Sequence, residues 1–383
     1  MTRRVEEGSR TIMETPPTFF RAFGDPAHAS VERALSELRS GRPVTIVEGG
    51  QALVALGVEA LDETAAAALQ SLGTAHLVLP SARLRRLGVE RSGPGMLALP
   101  RIDLARIETL ALKIDARVDA PVGPAGPLDG VVLELASLAL ILPAIVGVPM
   151  ATELAPLDLV RVPAEAIRTY RRSLARTMRI VSRAPVPLEG APETEFVVFR
   201  GGEGLRDQVA ILIGRPDLSK PVPVRLHSAC LTGDLFGSLK CDCGDQLRGT
   251  VKFMAENGGG VLLYLDQEGR GNGIANKMRA YKLQSQGWDT YDADELLGFG
   301  LDQRRFDFAA EMLKQLGVKQ VAVYTNNPVK IAALKAAGLD VVEDRRAYGR
   351  QTSENVLYLA SKRDRAGHFI DLDELAAHRP VTE

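Results

Sequence analysis

Apolar positions follow two rhythms along the chain: short β-branched runs, and longer stretches with a helical spacing. "SVERALSELRSG" predicts an amphipathic helix stopped by Gly41, and "PVTIV" a buried strand after it. Alanine-rich "DETAAAALQSLG" predicts a helix from an Asp62 cap to Gly73, followed by the strand "HLVLP". "LASLALILPAIVGVPMA" (135–151) is apolar enough to suggest a membrane span. Pro143, Gly147 and Pro149 interrupt it, and it is shorter than the ~20 residues a span needs, so a buried helix running into a buried strand is predicted. "AEAIRTYRRSLARTM" reads as a basic-faced helix. The three prolines and glycine of "SRAPVPLEGAPETEF" then predict a domain boundary near 184–195.

Beyond it, "EFVVFR", "QVAILIG", "VPVRLHSA" and "GVLLYLD" read as strands. "QLRGTVKFMAENG", "ANKMRAYKLQSQG" and "DQRRFDFAAEMLKQLG" read as helices, the last with Asp302 placed to cap it. "QVAVYTNNPVKIAALKAAG" is a strand turning into a helix, with Pro328 in the first turn and Gly338 past the end. The fold class expected is mixed α/β in two domains, the C-terminal one a mixed sheet flanked by helices. The division expected is a loose tail over 1–27, one domain over 28–190 and a second over 191–383.

A formal net charge of −1 over 383 residues gives no electrostatic footprint for nucleic acid or an anionic membrane, so an anionic ligand needs a local cluster of cations. The N-terminal "MTRRVEEGSRTIMETPPTFF" has no apolar core of a secretory signal. The 3 cysteines, Cys230, Cys241 and Cys243, all fall in "HSACLTGDLFGSLKCDCGDQL". An odd, clustered set argues against a disulfide framework and for a reducing, cytoplasmic compartment.

Three thiols without a fourth fit a zinc ion that keeps one position for water, as catalytic zinc does. Alternation in "VRLHSAC" puts His227 and Cys230 on opposite strand faces, which favours a packed or substrate-facing His227 over a fourth ligand. Three buried structural thiols are the plain alternative.

"VRLHSACLTGDLFGSLKCDCGDQL", "LDQEGRGNGIANKMRAY", "GFGLDQRR" and "TNNPVK" resemble, in order and spacing, GTP cyclohydrolase II of riboflavin biosynthesis, over about residues 195–370. The resemblance implies zinc held by Cys230, Cys241 and Cys243 plus water, and Mg²⁺ with the nucleotide. It implies hydrolysis of GTP with opening of the imidazole ring. Formate and pyrophosphate leave, and 2,5-diamino-6-ribosylamino-4(3H)-pyrimidinone 5′-phosphate remains. By the same resemblance Val224, Arg225, His227, Ser228, Ala229, Gln246, Glu268, Gly269, Arg270, Thr290, Thr325 and Lys330 line the GTP pocket, with Glu268 reading guanine. Asp302 matches the proton acceptor, and Tyr281 a tyrosine that could orient the attacking water. Arg304 matches a proposed nucleophile toward the α-phosphorus. A guanidinium is protonated at neutral pH and a poor nucleophile, so an electrostatic clamp is preferred for it.

Each residue has a plain reading beside this one: a helix cap for Asp302, a core tyrosine for Tyr281, a loop glutamate for Glu268, a solvated lysine for Lys330. The expected partners are GTP and a second copy of the chain, with no nucleic acid and no membrane. Ala229 stands where many family members carry Glu, Asn272 replaces an aliphatic residue, and Asp294 stands where Asn is usual. These departures leave two alternatives: a paralogue that processes GTP without full ring opening, and a GTP-binding module without turnover.

The N-terminal half faintly resembles 3,4-dihydroxy-2-butanone 4-phosphate synthase through "SVERALSELRSGRPVTIV" and "LASLALILPAIVGVPM". That enzyme's acidic metal-binding loop would follow the first strand, where "EGGQALVALG" offers Glu48 as its only acid. Without clustered carboxylates Mg²⁺ cannot be held there, so this half is expected to be inactive in synthase chemistry.

Overall fold

The computed structural model describes residues 24–174, 177–202, 206–300, 302–347 and 349–370; the tail expected over 1–27 lies outside them up to residue 23. Asp25 caps the first helix, so α1 spans Pro26–Arg39 and begins ahead of the apolar pattern that predicted it. Strands β1 (Val44–Glu48), β2 (Gln51–Gly57), β3 (Ala75–Leu79), β4 (Gly95–Leu99), β5 (Gly123–Pro124), β6 (Ile145–Ala151) and β7 (Val160–Pro163) form one mixed sheet in the order β5-β4-β3-β6-β2-β1-β7. Glu48 pairs with Gln51, and Gly49 and Gly50 between them take φ of 57° and 80°. The stretch after the first strand is therefore a tight hairpin turn, which glycine alone makes without strain.

Helices α2 (Glu63–Leu72), α3 (Ser81–Arg86), α4 (Leu104–Leu112), α5 (Pro127–Leu138) and α6 (Ala164–Leu174) cover the two apolar faces of this sheet. The apolar stretch 135–151 is the end of α5 and the strand β6, as its prolines predict.

The second sheet holds β8 (Arg179–Pro185), β9 (Thr194–Arg200), β10 (Gln208–Ile213), β11 (Val222–Ser228), β12 (Gly260–Leu265), β13 (Gln320–Tyr324) and β14 (Asp340–Arg345), ordered β14-β13-β11-β12-β10-β9-β8. Because β8 pairs with β9, the proline-rich 184–195 contains a hairpin inside this sheet, and the second sheet begins at Arg179, ahead of the division expected near 190. Prolines collect there because β8 is an edge strand with fewer ladder bonds to lose.

Around this sheet lie α7 (Leu231–Asp234), α8 (Cys243–Glu256), α9 (Ile274–Gln284), α10 (Thr290–Leu296), α11 (Asp307–Gln315), α12 (Pro328–Ala336) and α13 (Val356–Ala366). Strands β13, β11 and β12 run parallel, so the thiol loop, "QEGR" and "TNNPVK" all leave from their carboxyl ends along one edge. Ligand sites of parallel sheets collect at that edge. Ala280 and Leu283 of α9, with Ala293 and Leu296 of α10, share an apolar core with Leu84 and Leu110 of the N-terminal domain.

Candidate functional site

Past Ser228 the chain turns back, and the Asp234 carboxylate fixes the turn. It accepts the Cys230 N–H at 2.9 Å and the Tyr264 hydroxyl at 3.0 Å, and faces His227 Nε2 at 3.0 Å. Cys230 precedes α7, Cys241 follows the loop, and Cys243 opens α8. A Cβ on Gly233 would stand 2.7 Å from Cys241 Sγ and 3.0 Å from Cys230 Sγ, so glycine is what lets the loop close over the sulfurs. The three Sγ atoms lie within 4.8 Å of one another, with Cys230 and Cys241 at 3.6 Å. Among the described residues this is the one such cluster of thiols, imidazoles or carboxylates. Three soft donors without a disulfide fit one zinc ion.

Hydrogen bonds from Cys241 and Cys243, and then Lys277, pull the Cys230 thiol far below its ordinary range. Cys230 in turn pushes Cys241 up to about 11 and, with Cys241, pushes Cys243 well up. Three adjacent sulfurs compete for one negative charge, and a cation among them ends the competition. His227 stands apart: it stacks on Tyr264 with ring centroids 5.6 Å apart and pairs with Asp234.

The sulfurs form one wall of a cavity also lined by Ala229, Glu268, Gly269, Arg270, Tyr281, Thr290 and Asp294. Glu268 accepts the Leu231 N–H at 2.6 Å, the Lys277 ammonium at 2.8 Å and the Gly269 N–H at 3.0 Å. Gly269 and Arg270 both take φ of 61°, a conformation that strains a non-glycine residue. Arg270 is held in it by Asp294 at 2.9 Å and by the Tyr291 ring, 3.9 Å below the guanidinium. Burial pushes the Asp294 carboxyl up to about 7, against the attraction of Arg270. The Tyr281 hydroxyl lies 3.4 Å from Thr232 Oγ1, and burial pushes the phenol up to about 12. Asn272 is buried with its side-chain oxygen unpartnered.

A second cavity shares Ser228, Cys243, Arg304 and Tyr358 with the first and continues to Arg225, Gln246, Thr325, Lys330, Lys362 and His368. Arg225 donates to Tyr324 O at 3.0 Å and to Gln246. Lys330, in the first turn of α12, donates to Leu226 O at 2.6 Å. Burial, then Arg304 and Arg225, hold Lys330 well below its ordinary value. A nearby negative charge would favour the charged form of Lys330 against this burial and repulsion.

Arg304 reaches toward Ser228 Oγ, 3.4 Å away, at the junction of the two cavities. Asp302 accepts from the Arg304 guanidinium at 2.6 Å and from its backbone N–H at 3.0 Å. Asp302 caps no helix: α11 starts at Asp307 with Phe306 at its N-cap, and residues 302–306 lie outside helix and strand. Val224 points away from both cavities, into the apolar core with Leu226 and Val261, since strand alternation turns Arg225 outward in its place.

Lys277 was not foreseen. Its ammonium lies 3.1 Å from Cys230 Sγ, 3.1 Å from Thr232 Oγ1 and 2.8 Å from Glu268 Oε1. Its place one helical turn before Tyr281 is the signal that could have found it. Lys362 and Tyr358, on α13, carry no such signal. Larger cavities lie elsewhere. One, about 770 Å³, is an apolar groove beside α8; a second, about 610 Å³, sits in the N-terminal domain over the His76–Asp129 pair; a third, about 520 Å³, lies beside Gln70 of α2 and Asp103. None of the three is lined by a thiol.

The family model of GTP cyclohydrolase II matches residues 178–346. GTP cyclohydrolase-2 of Xylella fastidiosa strain Temecula1 is 45% identical over 372 residues, covering 95% of this chain and 93% of that protein. GTP cyclohydrolase-2 of Azospirillum brasilense is 39% identical over 374 residues, covering 92% and 97%. The riboflavin biosynthesis protein RibBA of Thermotoga maritima is 47% identical over 205 residues, covering 53% of this chain and 52% of its own. Two of these relatives span both sheets, the thiol loop and the two cavities at such identity; the chain belongs to the GTP cyclohydrolase II family.

Proposed function

We propose that this chain opens the imidazole ring of GTP. C8 leaves as formate, the two outer phosphates leave as pyrophosphate, and 2,5-diamino-6-ribosylamino-4(3H)-pyrimidinone 5′-phosphate is the product. One observation carries this reading: a sulfur-walled cavity and a cation-lined cavity meet at Ser228, Cys243, Arg304 and Tyr358. One ligand with a purine at one end and a triphosphate at the other fits that pair.

Cys230, Cys241 and Cys243 would hold zinc, which supplies Lewis acidity beside the purine C8. Glu268 accepts three hydrogen bonds from the protein, and a carboxylate offers about four acceptor sites, so one lone pair remains to read guanine. Tyr281, kept protonated by burial, directs its hydroxyl at the same cavity and orients water there. Arg225, Lys330 and Lys362 take the triphosphate, which brings Mg²⁺ with it, and the positive end of the α12 dipole lies on the same side. Arg304 clamps the phosphoryl charge as it develops. Against the upward push of burial, Arg304 holds Asp302 below its ordinary range, so Asp302 is ionised at neutral pH and can accept a proton.

The N-terminal domain is read as inactive in synthase chemistry: Glu48 pairs with Arg168, and a two-glycine turn stands in place of an acidic loop. A cytoplasmic homodimer is the setting proposed. Among the described residues no helix is long and apolar enough to cross a membrane.

Incubation with GTP and Mg²⁺ tests the reading, with formate, pyrophosphate and the diaminopyrimidinone as expected products. Pyrophosphate without formate would favour partial hydrolysis, and tight binding without turnover a GTP-binding module.

A further inference from the structure

Arg83 of α3 is buried in the N-terminal domain, 2% exposed, and among the described residues no carboxylate pairs with it. Its guanidinium donates to Leu110 O at 2.7 Å, Lys113 O at 2.7 Å and Thr109 O at 3.3 Å, all at the end of α4. It also donates to Leu296 O at 2.9 Å, the last residue of α10. Two helix C-termini, one from each domain, thus converge on one cation. Their orphan carbonyls and negative dipole ends are what stabilise a buried charge without a counter-ion. Burial pulls Arg83 down to about 10, which leaves it protonated at neutral pH.

The neighbours of Arg83 grip the same helix. Arg85 binds Glu295 at 2.7 Å, and Arg86 binds Asp292 at 2.6 Å and Glu295 at 2.8 Å. The opposite side of α10 faces the sulfur-walled cavity, where Thr290 and Asp294 line the wall and Asp294 holds Arg270 in its strained conformation.

We propose that Arg83 is a positioning residue of the nucleotide site. It fixes α10, and through α10 the placement of Thr290 and the Asp294–Arg270 pair, so the N-terminal domain forms part of the framework of the C-terminal site. The effect on turnover rests on the GTP reading above; the effect on α10 does not.

The full-length chain carrying Arg83→Met or Arg83→Lys tests this. Arg83→Met is expected to raise the KM for GTP about tenfold, the scale of one or two lost buried hydrogen bonds. Zinc content stays unchanged, while amide exchange over residues 290–297 rises. Arg83→Lys keeps the charge with fewer donors and recovers part of the KM. Wild-type kinetics in Arg83→Met, or faster exchange confined to α3 and α4, overturns the proposal. Should Arg83→Met fail to fold, Arg83→Lys and Glu295→Gln carry the test: a raised KM in both supports it, and a wild-type KM in both overturns it. If the unmodified protein does not turn over GTP, the function reading fails, and exchange over 290–297 alone decides the role of Arg83.

Discussion

Lys277 Nζ lies 3.1 Å from Cys230 Sγ, so a fixed cation touches the thiol cluster. Three thiolates around a divalent ion leave one excess negative charge, which an adjacent ammonium offsets. Lys277→Leu is expected to weaken zinc binding about 10- to 100-fold, the usual cost of losing a partner outside the ligands themselves. Competition with a chromophoric chelator measures it, and unchanged affinity excludes the role.

Cys241→Ser removes the middle sulfur of the cluster. Zinc content should fall to background and formate production should cease. Full formate production in this variant would show that the sulfurs hold no catalytic metal.

Arg304→Ala leaves the cluster intact. Zinc should stay bound while pyrophosphate release slows about 10²- to 10³-fold, the scale of one lost electrostatic stabiliser. Loss of metal in this variant would show that Arg304 acts on the fold and not on the phosphates.

Asp294 gives a pH signature with a definite sign. Between its ordinary 3.8 and about 7, the folded carboxyl keeps a proton that the unfolded chain has released. The folded state binds more protons in that window, so this contribution to stability is lost as pH rises through it. Arg270, Asp302 and Asp289 are the charged groups that act on Asp294. Asp294→Asn should flatten the fall of melting temperature between those pH values; an unchanged slope would place the titration elsewhere.

Glu48 lies on the hairpin of the N-terminal domain, paired with Arg168. Glu48→Gln should leave GTP turnover at the wild-type level in a steady-state assay. A marked loss would mean that this domain has a catalytic part in the reaction.

Local pattern carried much of this structure, and long-range contact carried the rest. The thiol loop, "QEGR" and "TNNPVK" are legible because each follows a short apolar run that reads as a strand, and parallel strands deliver such loops to one edge. The cap expected at Asp302 is absent because α11 starts at Asp307, too far along for Asp302 to reach its first N–H groups, and the carboxylate pairs with Arg304 instead. Val224, which the resemblance places in the pocket, is turned into the core by the period-2 alternation of β11. The proline-rich 184–195 reads as a domain boundary, but the strands that flank it pair within one sheet. Arg83 carries no local signal, since its partners Leu110 and Leu296 lie far along the chain.

GTP carrying a label at C8 decides the matter. Incubated with Mg²⁺ and the zinc-loaded chain, it should release labelled formate and pyrophosphate in equal amounts, and Cys241→Ser should release neither. Pyrophosphate with the label still in the purine, or equal release from the metal-free variant, would contradict ring opening at a zinc–thiolate site.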